Sequence, residues 1–403
     1  MLRQTFKIGL ACVAWGVGAA AQEAAPISYE DALTRARALS PDLAAVRARE
    51  SIVSADVGIA GLLPNPTLIV GSTTQAARLS ANVSLPLLVF GQRGAATNAA
   101  RAELSTAKVE TELAWNDVRA ATARAFVGMW LAQGTASARA EAAGVVRKLE
   151  DAVNGRIQVG AAPRVEGLRI HAERLRADAD ADEAARRIAS SASELGRWIG
   201  APMGEGLQIS GEPAVPPNPP PLSSLVAHID AAPAVRRENA DKRAAEARAE
   251  RERALVRPAM TLDVGLDAWD RTLPATTNYR AQLGVDVPIL NQRGPYIERE
   301  IMAAHAAGAR SSAERARALS SLVVAYRELE TTTARTMTLA QGVLPASEAA
   351  ADATAESYAL GHAPLVTVLD AERARIDVRL SLVAARAARA LAWIDVEHAV
   401  GVP

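Results

Sequence analysis

The chain has 403 residues, 45 basic against 45 acidic side chains, one cysteine, three phenylalanines and only 3% aromatic residues. Zero formal charge without a concentrated basic face excludes a protein that tracks a phosphate backbone, so nucleic acid is no partner. Scarce large side chains and abundant alanine argue against compact globular cores and for long helices packed through small residues.

Residues 1–21 read as a secretory signal peptide: Arg3 and Lys7, an apolar run from Ile8 to about Ala20, and small residues Ala19, Ala20 and Ala21 before Gln22. Removing it leaves a small acidic excess and takes away Cys12, so the exported chain has no disulfide. Cys12 as a lipid-attachment site is the alternative, and Gly9-Leu10-Ala11 before it matches that signal poorly. No later stretch offers the roughly 18 consecutive apolar residues of a membrane helix, so any membrane contact falls to strands.

From Ser28 to about Leu62 the pattern predicts two helices, with Ser40-Pro41-Asp42 between them and Pro64-Asn65-Pro66 after them. A β-hairpin is predicted at about 66–88, where Leu79, Ala81, Val83 and Leu85 alternate with Ser80, Asn82 and Ser84. From Gly94 runs a helical pattern of roughly 60 residues, which at about 1.5 Å per residue approaches 90 Å. A turn at Gly160 to Pro163 and a returning helix complete a helical hairpin over about 94–200. Residues 213–221 form a stiff Pro-rich linker.

After the linker the chain repeats itself. Leu85-Pro86-Leu87-Leu88 with Gly91-Gln92-Arg93-Gly94 returns as Val287-Pro288-Ile289-Leu290 with Asn291-Gln292-Arg293-Gly294. Gly160-Ala161-Ala162-Pro163 returns as Gly361-His362-Ala363-Pro364. Order and spacing recur together, so residues 22–212 and 222–403 are two copies of one unit. In the second copy the β-hairpin is expected at about 259–290 and the helical hairpin at about 294–400. Its strands alternate strictly: Met260, Leu262, Val264 and Leu266 against Asp263 and Asp267, then Tyr279, Ala281, Leu283 and Val285 against Arg280, Gln282 and Asp286. That pattern describes a sheet with one apolar and one wet face, in lipid or on a soluble helix layer alike. The charged run from Arg243 to Arg253 reads as a solvated helix face with close ion pairs.

The predicted fold class is mainly α with a membrane β-barrel portion. Four strands cannot close a barrel, and open edges in lipid cost several kcal/mol per unpaired group, so several chains must share one. Three chains would give twelve strands, within the range of outer-membrane barrels.

These features resemble the TolC-like outer-membrane efflux proteins over essentially the whole mature chain. The resemblance is carried by the duplicated unit, the Pro-apolar-apolar step after each hairpin, Gly91-Gln92-Arg93 with its counterpart Asn291-Gln292-Arg293, and the Gly-x-x-Pro turns. Gly61-Leu62-Leu63-Pro64-Asn65-Pro66-Thr67-Leu68 is similar to the Czc-type cation-efflux branch. The second copy departs in lacking the Pro-Asn-Pro motif and in a post-strand step two residues shorter. The resemblance implies a homotrimeric passive exit duct for metal cations or small organic compounds, a shared barrel and helical tunnel set in the outer membrane with the tunnel in the periplasm. Its implied partners are itself, a periplasmic adaptor, an inner-membrane pump and outer-membrane lipid. It puts Gly160, Pro163, Gly361 and Pro364 at an adaptor-docking tip, and Asp370 at a pore gate where three carboxylates would favour cations. Thr367 stands where some relatives carry a second aspartate. Glu372 and Arg373 are expected as ordinary exposed charges. Alternation turns Asp263, Arg280 and Asp286 toward the lumen.

An enzyme is disfavoured: His171, His228, His305, His362 and His398 are scattered, without a His-x-x-x-His pair, a Gly-x-Ser-x-Gly elbow or a phosphate loop. No catalytic residue, cofactor or metal site is expected. The remaining alternative is a periplasmic coiled-coil adaptor or structural protein without a pore, although adaptors carry one hairpin where this chain has two.

Overall fold

The computed structural model describes residues 26–72, 77–201, 203–204, 206–270 and 277–401. The signal peptide expected at residues 1–21, with Cys12, lies outside the described residues. Helices α1 (Tyr29–Leu39) and α2 (Pro41–Ala60) are followed by strands β1 (Thr67–Gly71) and β2 (Ala77–Leu87), then α3 (Gln92–Gln158) and α4 (Arg164–Trp198). The second copy supplies α5 (Leu222–Ala227), α6 (Pro233–Ala254), β3 (Ala259–Asp270), β4 (Thr277–Asp286), α7 (Gly294–Thr338), α8 (Leu344–Ala359) and α9 (Leu365–Val400).

The two β-hairpins join edge to edge in one antiparallel sheet of order β1-β2-β3-β4. Opposed residues share a face, so the register sorts the sheet. Leu68 pairs with Val83, Val83 with Val264, Leu85 with Leu262, Leu262 with Leu283 and Met260 with Val285, giving one apolar face across all four strands. Ser84 pairs with Asp263, Asp263 with Gln282, Gly265 with Arg280 and Ala259 with Asp286, giving the polar face. There Arg280 lies 3.5 Å from Asp267. The seam between the copies is tight at Gly265, where a Cβ would meet the Ala81 carbonyl oxygen at 2.9 Å and Asn82 Oδ1 at 2.8 Å. Only glycine fits that approach.

The helices follow the strand order. α2 packs on α3, α3 on α6 and α6 on α7, making a helical wall that continues the sheet. At 67 residues α3 is an unbroken helix of about 100 Å. Its counterpart is not unbroken. Between α7 and α8 a π-turn spans Leu339–Val343, with the Leu344 N–H bonded to the Leu339 carbonyl. Pro345 follows and has no N–H for the Gln341 carbonyl, so the hydrogen-bond ladder is reset just before it. The sequence expectation of two equivalent long helices is corrected at this point.

The charged face expected at Arg243 to Arg253 also needs correction. α6 buries Ala240, Ala244, Ala245 and Ala249 as a small-residue spine, and Glu238 and Glu252 are buried with it. The alanines let α7 approach closely, and buried carboxylates meet arginines from across the seam. Arg310 Nε donates to Glu238 at 2.8 Å, Arg248 Nε to Glu300 at 2.8 Å and Arg293 Nε to Glu252 at 2.8 Å. Burial pushes all three carboxyls up, but the guanidinium hydrogen bonds outweigh it and hold them below the usual carboxylate range. A lowered folded-state pKa contributes stability that is present above the unfolded-state value and lost as pH falls through the folded one. Glu397 runs the other way, because burial lifts it despite Arg119 at 3.1 Å. Acidification below about pH 4 should therefore lower the unfolding temperature of the wall, and Glu300→Gln should weaken that acid dependence. Circular-dichroism melts between neutral and acid pH check this; equal slopes for both proteins would refute the role of the seam.

The largest buried cluster sits where the copies meet midway along the wall. It gathers Ile27 and Tyr29 with Phe126 and Met129 of α3, Leu195 of α4 and Ile394 of α9. The Tyr29 and Phe126 rings meet edge to face at 5.4 Å.

Candidate functional site

The end of the wall opposite the sheet is formed by two equivalent helix hairpins. After α3, Gly160 takes φ of 74°, and the Ala161 N–H bonds to the Arg156 carbonyl at 2.8 Å. After α8, Gly361 takes φ of 81°, and the His362 N–H bonds to the Ser357 carbonyl at 2.9 Å. Both are helix stops whose left-handed residue suits glycine. Pro163 and Pro364 then stand in extended conformation immediately before α4 and α9. Each turn also carries apolar residues in matched places: Val159 and Leu360 before the glycines, Val165 and Val366 after the prolines, all exposed.

The two turns pack beside one another. Arg156 of the first lies over the Tyr358 ring of the second at 4.6 Å and donates to the Tyr358 carbonyl at 2.9 Å. Val146, Val153, Ile170, Tyr358, Leu365, Val368 and Leu369 form the apolar cluster behind them. Because Val368 and Leu369 face that cluster, Thr367 and Asp370 share the exposed side of α9. Asp370 is not isolated. Its Oδ1 lies 3.4 Å from Arg373 Nη1, and Arg373 makes two further hydrogen bonds to Glu173 of α4, at 3.0 and 2.5 Å. The Arg373 hydrogen bonds hold the Glu173 carboxyl below its usual range. Sequence reasoning missed Glu173, because nothing local links two residues 200 apart.

Glu372 is buried, 2.7 Å from Arg375, which corrects the expectation that it is exposed. It follows Leu369 by three residues and so shares the packed side of α9. On the sheet, Asp263, Arg280 and Asp286 lie together on the polar face, far from Asp370 in the fold. Among the described residues no helix is long and apolar enough to cross a membrane, and no group of three or more His, Cys, Asp or Glu is placed to hold a metal ion.

This pairing of a two-faced sheet with a thin helical wall recurs in known proteins. The structure overlays a CusC structure with a TM-score of 0.74 at 14% identity, covering 93% of this chain and 92% of that one. It overlays VceC of Vibrio cholerae with a TM-score of 0.71 at 18% identity, covering 93% and 96%. By sequence it is 26% identical over 368 residues to the cobalt-zinc-cadmium resistance protein CzcC of Cupriavidus metallidurans, covering 89% of this chain and 86% of the relative. Residues 227–402 match the model of the outer membrane efflux protein family. The fold is the one seen in these solved outer-membrane proteins, and residues 227–402 carry the outer membrane efflux protein domain. The family match covers the second copy of the repeat, and the sequence likeness to CzcC extends over both copies.

Proposed function

We propose that this chain, exported with residues 1–21 removed, assembles as a homotrimer. The trimer forms the outer-membrane exit duct of a tripartite efflux system, receiving metal cations from an inner-membrane pump through a periplasmic adaptor. One observation carries the reading: the wall is open at both sides. β1 and β4 each pair on one edge only, and among the helices α2 and α7 stand at the corresponding ends. Strand edges in lipid must be paired, so β4 of one copy takes β1 of the next and three copies close twelve strands. The apolar face then meets lipid, and Asp263, Arg280 and Asp286 meet the lumen. Cations are favoured as cargo by the likeness to a cobalt-zinc-cadmium resistance protein. Native mass spectrometry of detergent-purified protein should show a trimer, and a stable monomer that spans the bilayer would sink the reading.

The apolar-tipped turns at Gly160 to Pro163 and Gly361 to Pro364 are the adaptor's docking points, and Asp370 with Thr367 lines the periplasmic entrance. Three Asp370 carboxylates around a narrow entrance would bind multivalent cations and block current. Asp370→Asn should weaken that block from the periplasmic side of reconstituted channels and leave the trimer intact, because it removes charge at nearly constant volume. Asp182→Asn, an exposed change on α4, is the control. Unaltered block in both variants would remove Asp370 from the gate.

A further inference from the structure

All four connections between helices and strands lie at the same end of the sheet, and each one exposes large apolar side chains. Between α2 and β1 stand Leu62 and Leu63; between β2 and α3, Val89 and Phe90; between α6 and β3, Leu255; between β4 and α7, Ile289 and Leu290. Ile289 and Leu290 are 74% and 99% exposed. Connections in contact with water alone normally hold polar turn residues. Val89 and Ile289 also continue the period-two alternation of β2 and β4, so they extend the apolar face past the last paired residues.

A second copy does not account for all of them. A neighbour closing the wall reaches the edges at α2 with β1 and at α7 with β4. Val89, Phe90 and Leu255 sit at the two inner connections, flanked by this chain's own elements. Strand length supplies the other constraint. β3 and β4 have 12 and 10 residues, and about 9 to 11 tilted residues span the hydrocarbon core, so the connections fall at headgroup level. Arg93, exposed as the second residue of α3, has no side-chain partner among the described residues.

We propose that these four connections form a phospholipid belt. Leu63, Val89, Phe90, Ile289 and Leu290 enter the upper acyl region of the periplasmic leaflet, and Arg93 meets anionic headgroup phosphates. The combination of exposed apolar side chains with an adjacent cation is the chemistry of a membrane interface. The assignment rests on the outer-membrane reading above and extends it from the strands to their connections.

The test uses full-length trimer in nanodiscs of phosphatidylethanolamine and phosphatidylglycerol. Cys12 is the chain's one cysteine and lies in the signal peptide, so an introduced cysteine is the sole thiol of the exported protein. A fluorophore on Leu290→Cys or Val89→Cys should be quenched by lipid brominated near the headgroup about twofold more than by lipid brominated near the chain end. A fluorophore on Leu283→Cys should show the reverse order, and one on Leu360→Cys should respond only to aqueous iodide. Arg93→Gln should lower the preference for brominated phosphatidylglycerol over brominated phosphatidylcholine by about twofold at Leu290→Cys. If Leu283 is quenched by deep bromine while Leu290 and Val89 respond only to iodide, the belt is overturned and the channel stands. Quenching at Leu290 without Val89 also overturns it, since the inner connections are then out of reach of lipid. If Leu283 too responds only to iodide, the outer-membrane reading itself fails. An unchanged lipid preference in Arg93→Gln removes the arginine from the belt.

Discussion

Leu283→Arg should prevent assembly of the proposed membrane trimer, while Gln282→Arg next to it should be tolerated. The two positions lie on opposite faces of β4: Leu283 pairs with Leu262 on the apolar face, and Gln282 pairs with Asp263 on the polar one. An arginine on the lipid face near the bilayer midplane costs about 2 to 4 kcal/mol, and a trimer contains three of them. On the other face an added guanidinium joins a surface that already carries Arg280, Asp263 and Asp267. Heat-resistant trimer in outer-membrane fractions is the measurement. Equal tolerance at the two positions would mean that the apolar face does not meet lipid.

Phe126→Ala should be the most destabilising change in the helical wall. Its ring is fully buried in the cluster that ties Tyr29 to α3, α4 and α9, and so ties one copy of the repeat to the other. Truncating a buried Phe costs about 3 to 5 kcal/mol through lost transfer energy and the cavity left behind. Here the loss falls where the sheet-side wall passes into the two helical hairpins, so both halves should loosen together. Val159→Ala, at an exposed tip position, should stay within about 0.5 kcal/mol. Denaturant unfolding in detergent measures both, and a Phe126→Ala cost no larger than that of Val159→Ala would show that the cluster does not hold the copies together.

Much of this protein is written locally. Period-two alternation assigns Leu283 and Gln282 to opposite faces before any pairing is known, because successive strand side chains must point to opposite sides. Gly160 and Gly361 end their helices at the turns because a left-handed stop favours glycine, and that preference is intrinsic to the residue. The repeat exposes the open wall, since four strands and short connections leave two unpaired edges whatever the details. Tertiary structure decided what depends on partners distant in sequence. The seam of β2 with β3, closed at Gly265, sets the order of strands and with it the order of α2, α3, α6 and α7. Glu252 reads as a surface charge in an Arg-rich run, yet it is buried against Arg293 at the start of α7, as Glu238 is against Arg310 of α7. Arg373 is tied to Glu173, and Glu372 turns inward while Asp370 stays exposed. A charge run carries no local mark of which side will be covered, because burial of a carboxylate is decided by the arginine that arrives from another helix.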